Sequence, residues 1–415
     1  MEYNKVCMIG LGYIGLPTAA VLASRKVHVI GVDINQKAVD TINRGEIHIV
    51  EPDLDILVQV TVKEGYLRAT TAPEKADVFI MAVPTPFKGD DHEPNLDYIE
   101  SAARSLAPML EKGNLVILES TSPVGATEKM AKWLAEERRD LTFPQQVGEE
   151  SDIRIAHCPE RVLPGHVIRE LVENDRIIGG MTPKCTEVAT ELYKVFVKGD
   201  CIATNSRTAE MSKLTENASR DVSIAFANEL SILCDKMGID VWELISLANR
   251  HPRVNILQPA CGVGGHCIAV DPWFIVNAFP NEAQLMKTAR EINDGKPFFV
   301  ISKVKEAVKT IENPKIACLG LAFKPDIDDL RESPALEITK MLSDNTNFNI
   351  LAVEPNIKEL PEVLKNRKNV EFISLDNALE VADVVVVLVK HKEFISIETD
   401  KISKKTVIDT TGVVK

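Results

Sequence analysis

The chain has 415 residues, 45% of them hydrophobic and 26% charged, which is typical of a globular protein with two or three domains. Its formal net charge of −13 argues against a nucleic-acid-binding protein, because such proteins usually carry clustered positive charge. The sequence shows no long apolar run, no basic leader and no CxxC pair among its eight cysteines. We therefore expect a cytoplasmic protein with reduced thiols that binds neither membrane nor nucleic acid.

Short apolar runs alternate with helical segments in the first part of the chain. The predicted strands are 6–9, 28–32, 77–83, 115–118 and 153–156, and a helix is predicted over 16–24. Strands that alternate with helices favour parallel pairing, so the pattern predicts a doubly wound α/β sheet.

The first predicted strand runs directly into a glycine motif, Gly10-x-Gly12-x-x-Gly15, and a predicted helix follows it. In this context the glycines allow a tight turn, close approach of a pyrophosphate and packing of the helix on the strand. Asp33 lies 18 residues after Gly15, at the end of the second strand. A carboxylate there accepts hydrogen bonds from ribose hydroxyls and repels a 2′-phosphate, so the motif predicts NAD as cofactor.

A long helix is predicted over 206–237, because this segment has helical apolar spacing and contains neither proline nor glycine. Lys213, Asn217 and Arg220 fall on one face of it, where a lysine could serve as a base. The chain stays largely helical to about residue 300, apart from a loop over 251–271. A helix of this kind can join two domains and form a dimer surface.

The loop Gly262-Val263-Gly264-Gly265-His266-Cys267, with Asp271 four residues on, carries the clearest sign of chemistry. Glycines let the backbone pass close to a large polar ligand, and the cysteine that follows suggests a thiol nucleophile with a nearby carboxylate. Most single cysteines are core residues instead, which is our interpretation of Cys7, Cys234 and Cys318. A zinc site at Cys261, His266 and Cys267 matches no common spacing, so no metal site is predicted.

The last part of the chain repeats the order of features seen in the first. Strands are predicted over 315–320, 349–353, 384–389 and 406–409. Strand 349–353 ends at Glu354, just as strand 28–32 ends at Asp33. The predicted fold is therefore α/β, with two Rossmann-like doubly wound parallel-sheet domains joined by a long central helix and a helical domain. The predicted domains are 1–205, 206–300 and 301–415.

Long motifs along the chain resemble the UDP-glucose/GDP-mannose dehydrogenase family. They are GLGYIGLP, VPTP, STSPVG, CPERVLPG, EMSKLTEN, NRHPRVNILQP, GVGGHCIAVDP and GLAFKPDIDDLRESP. The resemblance implies an NAD domain, a helical dimer domain and a UDP-sugar domain, in that order. It also implies a homodimer formed through the central helix.

The resemblance implies a four-electron oxidation of a sugar C6 alcohol to a carboxylate, with two NAD per turnover. In this scheme Cys267 forms a thiohemiacetal and then a thioester, and Lys213 helps to deprotonate the C6 hydroxyl. Asn217 would stabilise the oxyanion, and Asp271 and Glu160 would position water or polarise the lysine.

The resemblance also assigns binding residues. For NAD these are Gly10, Gly12, Tyr13, Ile14, Gly15, Asp33, Thr85, Thr121 and Arg331. For the UDP-sugar they are Arg161, Val162, Lys213, Asn217, Arg220, His251, Arg253, Gly264, Phe323 and Lys324.

The sequence leaves several alternatives open. Other family members usually have Gly-Gly-Ser-Cys and then Pro-Lys-Asp, whereas this chain has Gly-Gly-His-Cys and then Ala-Val-Asp. The departure points to a UDP-N-acetylhexosamine rather than UDP-glucose. The resemblance implies UDP-N-acetylmannosamine, used for a bacterial surface polysaccharide, with UDP-N-acetylglucosamine or UDP-N-acetylgalactosamine as alternatives. A non-catalytic NAD-binding regulator is a further alternative. Cys261 further suggests a reversible disulfide with Cys267.

Overall fold

The computed structural model describes residues 3–49, 51–89, 91–163, 165–265 and 267–414. The chain divides between Glu216 and Asn217 into two compact units. Among the described residues, no helix combines the length and the apolar character needed to cross a membrane.

The first unit is built on an eight-stranded sheet within the described residues, in the order β10-β9-β8-β7-β4-β1-β2-β3. Two further short strands, β5 and β6, pair as an antiparallel hairpin. The strands are β1 Lys5–Ile9, β2 His28–Val32, β3 Leu67–Thr70, β4 Val78–Met81, β5 Phe87–Lys88, β6 Glu93–Pro94, β7 Leu115–Leu118, β8 Arg154–His157, β9 Arg176–Gly180 and β10 Cys201–Asn205.

Helices cover both faces of this sheet. Alternate residues of β1 show this, since Val6 and Met8 join one apolar cluster whereas Cys7 and Ile9 join the other. Such two-sided burial explains why the central strands are apolar throughout. The helices are α1 Gly15–Ser24, α2 Gln36–Asn43, α3 Leu54–Lys63, α4 Asp97–Leu106, α5 Ala126–Glu137, α6 Pro144–Val147, α7 Val167–Glu173 and α8 Pro183–Tyr193.

One edge of the first sheet departs from the predicted all-parallel pattern. Strand β9 runs antiparallel to β8, with Ala156 opposite Gly180 and His157 opposite Gly179. Strand β10 is then parallel to β9. The sequence did not predict these two strands or β3, because glycine-rich or largely exposed strands lack the apolar run that marks a buried one.

A long helix, α9, extends over Ser206–Met237 and confirms the predicted bounds. The predicted helical region with its interrupting loop is also present. Three further helices follow, α10 Val241–Ala248, α11 Asp271–Ala278 and α12 Gln284–Ala307.

The second unit contains a five-stranded parallel sheet in the order β13-β12-β11-β14-β15. Its strands are β11 Lys315–Leu319, β12 Asn349–Val353, β13 Val370–Phe372, β14 Val384–Val387 and β15 Thr406–Asp409. Its remaining helices are α13 Pro334–Ser343, α14 Glu362–Lys365, α15 Leu375–Val381, α16 Lys392–Ile395 and α17 Thr399–Ile402.

The two sheets share one plan, as the repeated sequence features predict. Five strands of the first sheet, taken as β3-β2-β1-β4-β7, have the same chain order as the whole second sheet. The details also repeat, since Asp77 Oδ2 accepts from the N–H of Lys5 at 2.9 Å and Asp383 Oδ2 accepts from that of Lys315 at 2.8 Å. The predicted α/β fold with two Rossmann-like sheets and a long helix is therefore confirmed, although the first sheet has one antiparallel strand pair.

Candidate active site

The turn after β1 has the geometry that a bound pyrophosphate requires. Gly10 has a φ of 91°, and a Cβ added to it would lie 2.4 Å from the carbonyl oxygen of Ala82. A Cβ on Gly15 would lie 1.8 Å from the oxygen of Gly10, whereas one on Gly12 would meet nothing within 4 Å. The first and third glycines are therefore needed for packing, and the second leaves space for a ligand at the start of α1.

Polar groups gather at the carboxyl ends of the neighbouring strands. Asp33, at the end of β2, accepts from the N–H of Leu11 at 3.1 Å and from that of Asn35 at 2.9 Å. Thr85 Oγ1 donates to the carbonyl oxygen of Thr121 at 2.6 Å, so the loops after β4 and β7 touch. Tyr13 and Ile14 lie in the glycine turn itself, partly open to solvent. These residues fit NAD, because the carboxylate of Asp33 has lone pairs left for ribose hydroxyls.

Glu160 belongs to a buried ionic cluster in the first unit. Its Oε2 accepts from Nη1 of Arg176 at 2.5 Å, and its Oε1 accepts from the N–H of Arg161 at 2.7 Å. Arg176 also lies 3.7 Å from Glu119, which accepts a hydrogen bond from the Tyr193 hydroxyl at 3.0 Å. Burial raises the pKa of Glu119 even though Arg176 opposes the shift. The cluster fixes Glu160 in one orientation just after β8.

The other predicted site residues of the first unit follow Glu160 or lie on α9. Arg161 forms an ion pair with Glu216 at 2.7 Å, and Val162 packs against the apolar core. Lys213 is partly exposed on α9, one and two helical turns before Asn217 and Arg220.

Cys267 begins a turn that leads into α11. Its carbonyl oxygen accepts from the N–H of Val270 at 3.1 Å and from that of Asp271 at 2.8 Å, and the residue is exposed. Asn217 Nδ2 donates to Oδ2 of Asp271 at 2.5 Å, which ties α9 to the first residue of α11. The structure therefore brings an exposed thiol-bearing turn together with a predicted oxyanion donor and a predicted carboxylate.

The glycines before Cys267 allow its loop to pack tightly on the connection between β11 and α13. A Cβ on Gly264 would lie 2.4 Å from the carbonyl oxygen of Glu332 and 2.9 Å from Cβ of Phe323. A Cβ on Gly265 would lie 3.0 Å from the Phe323 ring. Two predicted substrate residues, Gly264 and Phe323, are therefore in direct contact.

A buried polar network supports the same loop from the helices behind it. Arg290 of α12 donates to Oδ1 of Asp221 on α9 at 2.6 Å, and Asn293 donates to that oxygen at 2.7 Å. Oδ1 of Asn228 accepts from the backbone N–H of Ala260, in the loop, at 2.9 Å. Nδ2 of Asn228 donates to Oδ1 of Asn293 at 2.9 Å. The sequence did not predict this network, because its members are local polar residues on helices and pair only in the fold.

The remaining predicted residues of the second unit are exposed. His251 and Arg253 lie in the loop after α10, whose ends are joined by two hydrogen bonds between Asn249 and Ile256 at 2.7 and 2.9 Å. Arg220 and Lys324 are also exposed. The Arg331 guanidinium binds Asp329, with a shortest distance of 2.6 Å.

Cys261 is not placed as a reactive thiol would be. It is 3% exposed, lies in the apolar core beside β14 and donates to the carbonyl oxygen of Leu388 at 3.4 Å. Burial raises its pKa to about 12. These features argue against the disulfide hypothesis, and His266 of the discarded zinc site lies outside the described residues.

The structure thus assembles two groups of predicted residues, one in each unit. The first unit holds the NAD set other than Arg331, together with Glu160, Arg161, Val162 and Lys213. The second holds Asn217, Arg220, His251, Arg253, Gly264, Cys267, Asp271, Phe323, Lys324 and Arg331.

Three models of one protein family match the chain in succession. Residues 4–197 match the NAD binding domain of the UDP-glucose/GDP-mannose dehydrogenase family, 207–295 its central domain and 317–415 its UDP binding domain.

Named relatives match along nearly the full length. A UDP-N-acetyl-D-mannosamine dehydrogenase of Campylobacter jejuni is 72% identical over 97% of this chain and 98% of the relative. An NDP-N-acetyl-D-galactosaminuronic acid dehydrogenase of Ralstonia nicotianae is 63% identical over 100% of this chain and 97% of its own. Among solved structures, a UDP-D-ManNAc dehydrogenase from Pyrococcus horikoshii matches with a TM-score of 0.88, at 39% identity over 99% of this chain and 96% of that one.

The glycine turn, Asp33 and the three consecutive matches agree on cofactor and family. The chain is an NAD-dependent dehydrogenase and belongs to the UDP-glucose/GDP-mannose dehydrogenase family.

Proposed function

We propose that this enzyme oxidises C6 of UDP-N-acetyl-D-mannosamine to a carboxylate through a covalent intermediate on Cys267. The observation that carries the proposal is the exposed Cys267 turn beside the Asn217–Asp271 pair, bonded at 2.5 Å. The identity of 72% to a UDP-N-acetyl-D-mannosamine dehydrogenase supports the choice of sugar. The product would serve the synthesis of a bacterial surface polysaccharide.

The reaction removes four electrons in two oxidations. When bound, NAD supplies the hydride acceptor for each of them. Lys213 takes the proton of the C6 hydroxyl in the first oxidation, which leaves an aldehyde. The thiolate of Cys267 adds to this aldehyde and retains it as a thiohemiacetal, whose oxidation gives a thioester. Water then cleaves the C–S bond, releasing the uronate and restoring the thiol.

Asn217 and Asp271 have complementary roles in this scheme. Because one N–H of the Asn217 amide donates to Asp271, the orientation of the amide is fixed and its other N–H is left for the oxyanion. Asp271, held beside Asn217, would position the attacking water.

For Glu160, whose orientation is set by Arg176, we propose the role of positioning water or polarising Lys213. Each of its oxygens has a second lone pair for water or for Lys213.

The substrate would be held mainly by the C-terminal segment. The match of 317–415 to a UDP binding domain supports assigning Phe323 and Lys324 to the nucleotide sugar. The other residues that we propose for binding the UDP-sugar are Arg161, Val162, Arg220, His251, Arg253 and Gly264. For the cofactor, we propose Arg331 in addition to the glycine-turn residues. We propose residues 1–205 as the NAD domain, 206–300 as the central domain and 301–415 as the UDP-sugar domain. We also propose that the enzyme acts in the cytoplasm.

An apolar stripe on α9 supports a homodimer. Phe226, Leu233 and Met237 are 55%, 45% and 60% exposed, and their spacing places them on one face of the helix. Exposed apolar side chains in a continuous row are typical of an interface. The occupant we propose is the same stripe of a second copy.

The comparisons also support one alternative to the proposed sugar, a UDP-N-acetylgalactosamine substrate. Two relatives, at 63% and 62% identity, are named NDP-N-acetyl-D-galactosaminuronic acid dehydrogenases. The test compares kcat/KM for UDP-N-acetylmannosamine, UDP-N-acetylgalactosamine, UDP-N-acetylglucosamine and UDP-glucose. A preference of at least about tenfold for the manno sugar is expected, since one misplaced polar group costs roughly 1–3 kcal/mol. A preference for the galacto sugar would replace the proposed substrate and keep the chemistry.

A further inference from the structure

The connection between β11 and α13 is held at its tip by a side chain from another loop. This connection, residues 320–333, carries Phe323 and Lys324 and is here called the sugar loop. We propose that His391, in the connection between β14 and α16, is a positioning residue that fixes the sugar loop for nucleotide binding. The inference rests on the proposed function for the role of that loop.

The ring of His391 is fully buried, and each of its nitrogens has partners. Nδ1 accepts from the backbone N–H of Asp326 at 2.9 Å and lies 3.1 Å from the amide nitrogen of Asn356. A backbone N–H is always a donor, so Nδ1 must present its lone pair. Nε2 therefore carries the proton and donates it to Oε2 of Glu354 at 3.0 Å.

Asp326 needs such support because its backbone is in an unusual conformation. Its φ is 61°, in the left-handed region that residues other than glycine seldom adopt. The support is reciprocal, since Oδ1 of Asp326 accepts from the N–H of Lys392 at 3.0 Å. Two hydrogen bonds thus join the tip of the sugar loop to residues 391 and 392.

Glu354 holds the beginning of the same loop. Its Oε2 accepts from the N–H of Leu321 at 2.7 Å and from that of Ala322 at 3.0 Å. Asp33 occupies the corresponding strand end in the first unit and binds the N–H of Leu11 in the same way. Glu354 is 3% exposed and also receives His391. Glu354 therefore fixes the sugar loop, whereas Asp33, the equivalent carboxylate of the first unit, is partly exposed and accessible to a ribose.

The position of the sugar loop affects the turn that bears Cys267. Gly264 and Gly265 pack on Phe323 and Glu332 so closely that a Cβ on Gly264 would lie 2.4 Å from the Glu332 oxygen. A shift at Asp326 would therefore move the surface against which the glycine loop rests.

A metal site would use the same residues but does not fit their bonds. The donor atoms of Asp326, His391 and Glu393 all lie within 4.8 Å of one another. A metal would need a lone pair on the ring, yet Nδ1 already accepts from Asp326 and Nε2 donates to Glu354. The positioning role accounts for both nitrogens.

The test compares three substitutions of His391 in the full-length enzyme. Asparagine can place an acceptor near the position of Nδ1, whereas glutamine reaches only toward that of Nε2, and alanine supplies neither. We expect H391A and H391Q to raise the Kd for UDP, measured by calorimetry, by about tenfold, as loss of one hydrogen bond implies. H391N should stay within about threefold of the wild type.

Two further readouts separate positioning from general destabilisation. Amide hydrogen exchange in peptides covering 321–333 should accelerate in H391A and H391Q and stay slow in H391N, while peptides of β11 and β14 remain protected. KM for the sugar nucleotide should rise more than kcat falls. If H391A does not fold, the contrast between H391Q and H391N decides.

Unchanged UDP affinity and unchanged exchange in H391Q would overturn the inference. An H391N variant that binds UDP as weakly as H391A would also overturn the inference. Calorimetry with UDP and hydrogen exchange do not depend on which sugar is oxidised. Failure of the proposed substrate would therefore be distinguished from failure of this inference.

Discussion

Gly12 and Gly15 lie three positions apart in one turn, yet a methyl group has different room at each. A Cβ on Gly15 would lie 1.8 Å from the oxygen of Gly10, whereas one on Gly12 would meet nothing within 4 Å. We expect Gly15→Ala to lower the melting temperature by several degrees, about 2–4 °C for each kcal/mol lost. Gly12→Ala should melt like the wild type but bind NAD at least about tenfold more weakly, because its methyl would occupy the space of the pyrophosphate.

Thermal denaturation and NAD titration of both variants check this contrast. Wild-type NAD affinity in Gly12→Ala would contradict the placement of the cofactor.

Glu354 gives a pH dependence whose sign follows from its surroundings. Burial alone would raise its pKa, but hydrogen bonds from His391, Leu321 and Asn356 outweigh burial and lower the pKa to about 2 from 4.5. A carboxylate with a lowered folded-state pKa stabilises the fold above the unfolded value. This contribution is lost as the pH falls from 4.5 toward about 2.

Urea denaturation of Glu354→Gln measures the effect. The deficit in unfolding free energy relative to the wild type should be largest at neutral pH and should shrink as the solution is acidified below about pH 4.5. Glu371→Gln, at an exposed position of β13, serves as the control and should show no such trend. A deficit that grows in acid would contradict the bonding of Glu354.

At the scale of elements, α9 and α12 are joined by both a buried and an exposed ion pair. Arg290 and Asp221 are 1% and 0% exposed, whereas Lys303 and Asp235 are 43% and 35% exposed. Removing one partner of a buried pair leaves an uncompensated charge, so Asp221→Ala should cost about 3–5 kcal/mol of unfolding free energy. Asp235→Ala, the matched control on the same helices, should cost about 0–1 kcal/mol.

Chemical denaturation of the two variants tests this difference. Similar losses for both would show that the buried network does not hold the helices and the Cys267 loop together.

The elements also show what a sequence can predict. Helix α9 was predicted to its end residues, because glycine and proline are absent from residue 206 to 237. Strand β9 was missed, because Gly179 and Gly180 resemble a turn. They are required in the strand, since a Cβ on Gly179 would lie 2.4 Å from the oxygen of Asn205. Local pattern contains no information about such long-range contacts.

The residues of the candidate site also differ in whether the sequence could predict them. The glycine motifs and Cys267 are marked by spacing within a few residues and could be recognised. The bond between Asn217 and Asp271 joins positions 54 residues apart, and that between Arg290 and Asp221 joins positions 69 apart. The resemblance gave Asn217 and Asp271 separate roles without predicting their bond, and no local signal indicated the bond between Arg290 and Asp221.

At the scale of the whole molecule, the apolar stripe of α9 predicts association of two chains. Leu233→Asp would place a charge within the row formed with Phe226 and Met237, so we expect it to convert a dimer to monomers in light scattering. Ile395→Asp is the control, because Ile395 is 57% exposed but lies outside the stripe. A wild-type monomer at micromolar concentration, or a Leu233→Asp dimer, would contradict the proposed interface.

The most direct test of the chemistry is the yield of NADH from a limiting amount of UDP-N-acetyl-D-mannosamine, followed at 340 nm. Oxidation of an alcohol to a carboxylate removes four electrons, so two NADH per sugar are expected. Cys201→Ser should give the same yield, because Cys201, in β10, has no role in the proposed chemistry. Cys267→Ala should not reach two, since no thiol would retain the aldehyde. A wild-type yield of one NADH per sugar would mean that the reaction stops at the aldehyde, and it would contradict the role proposed for Cys267.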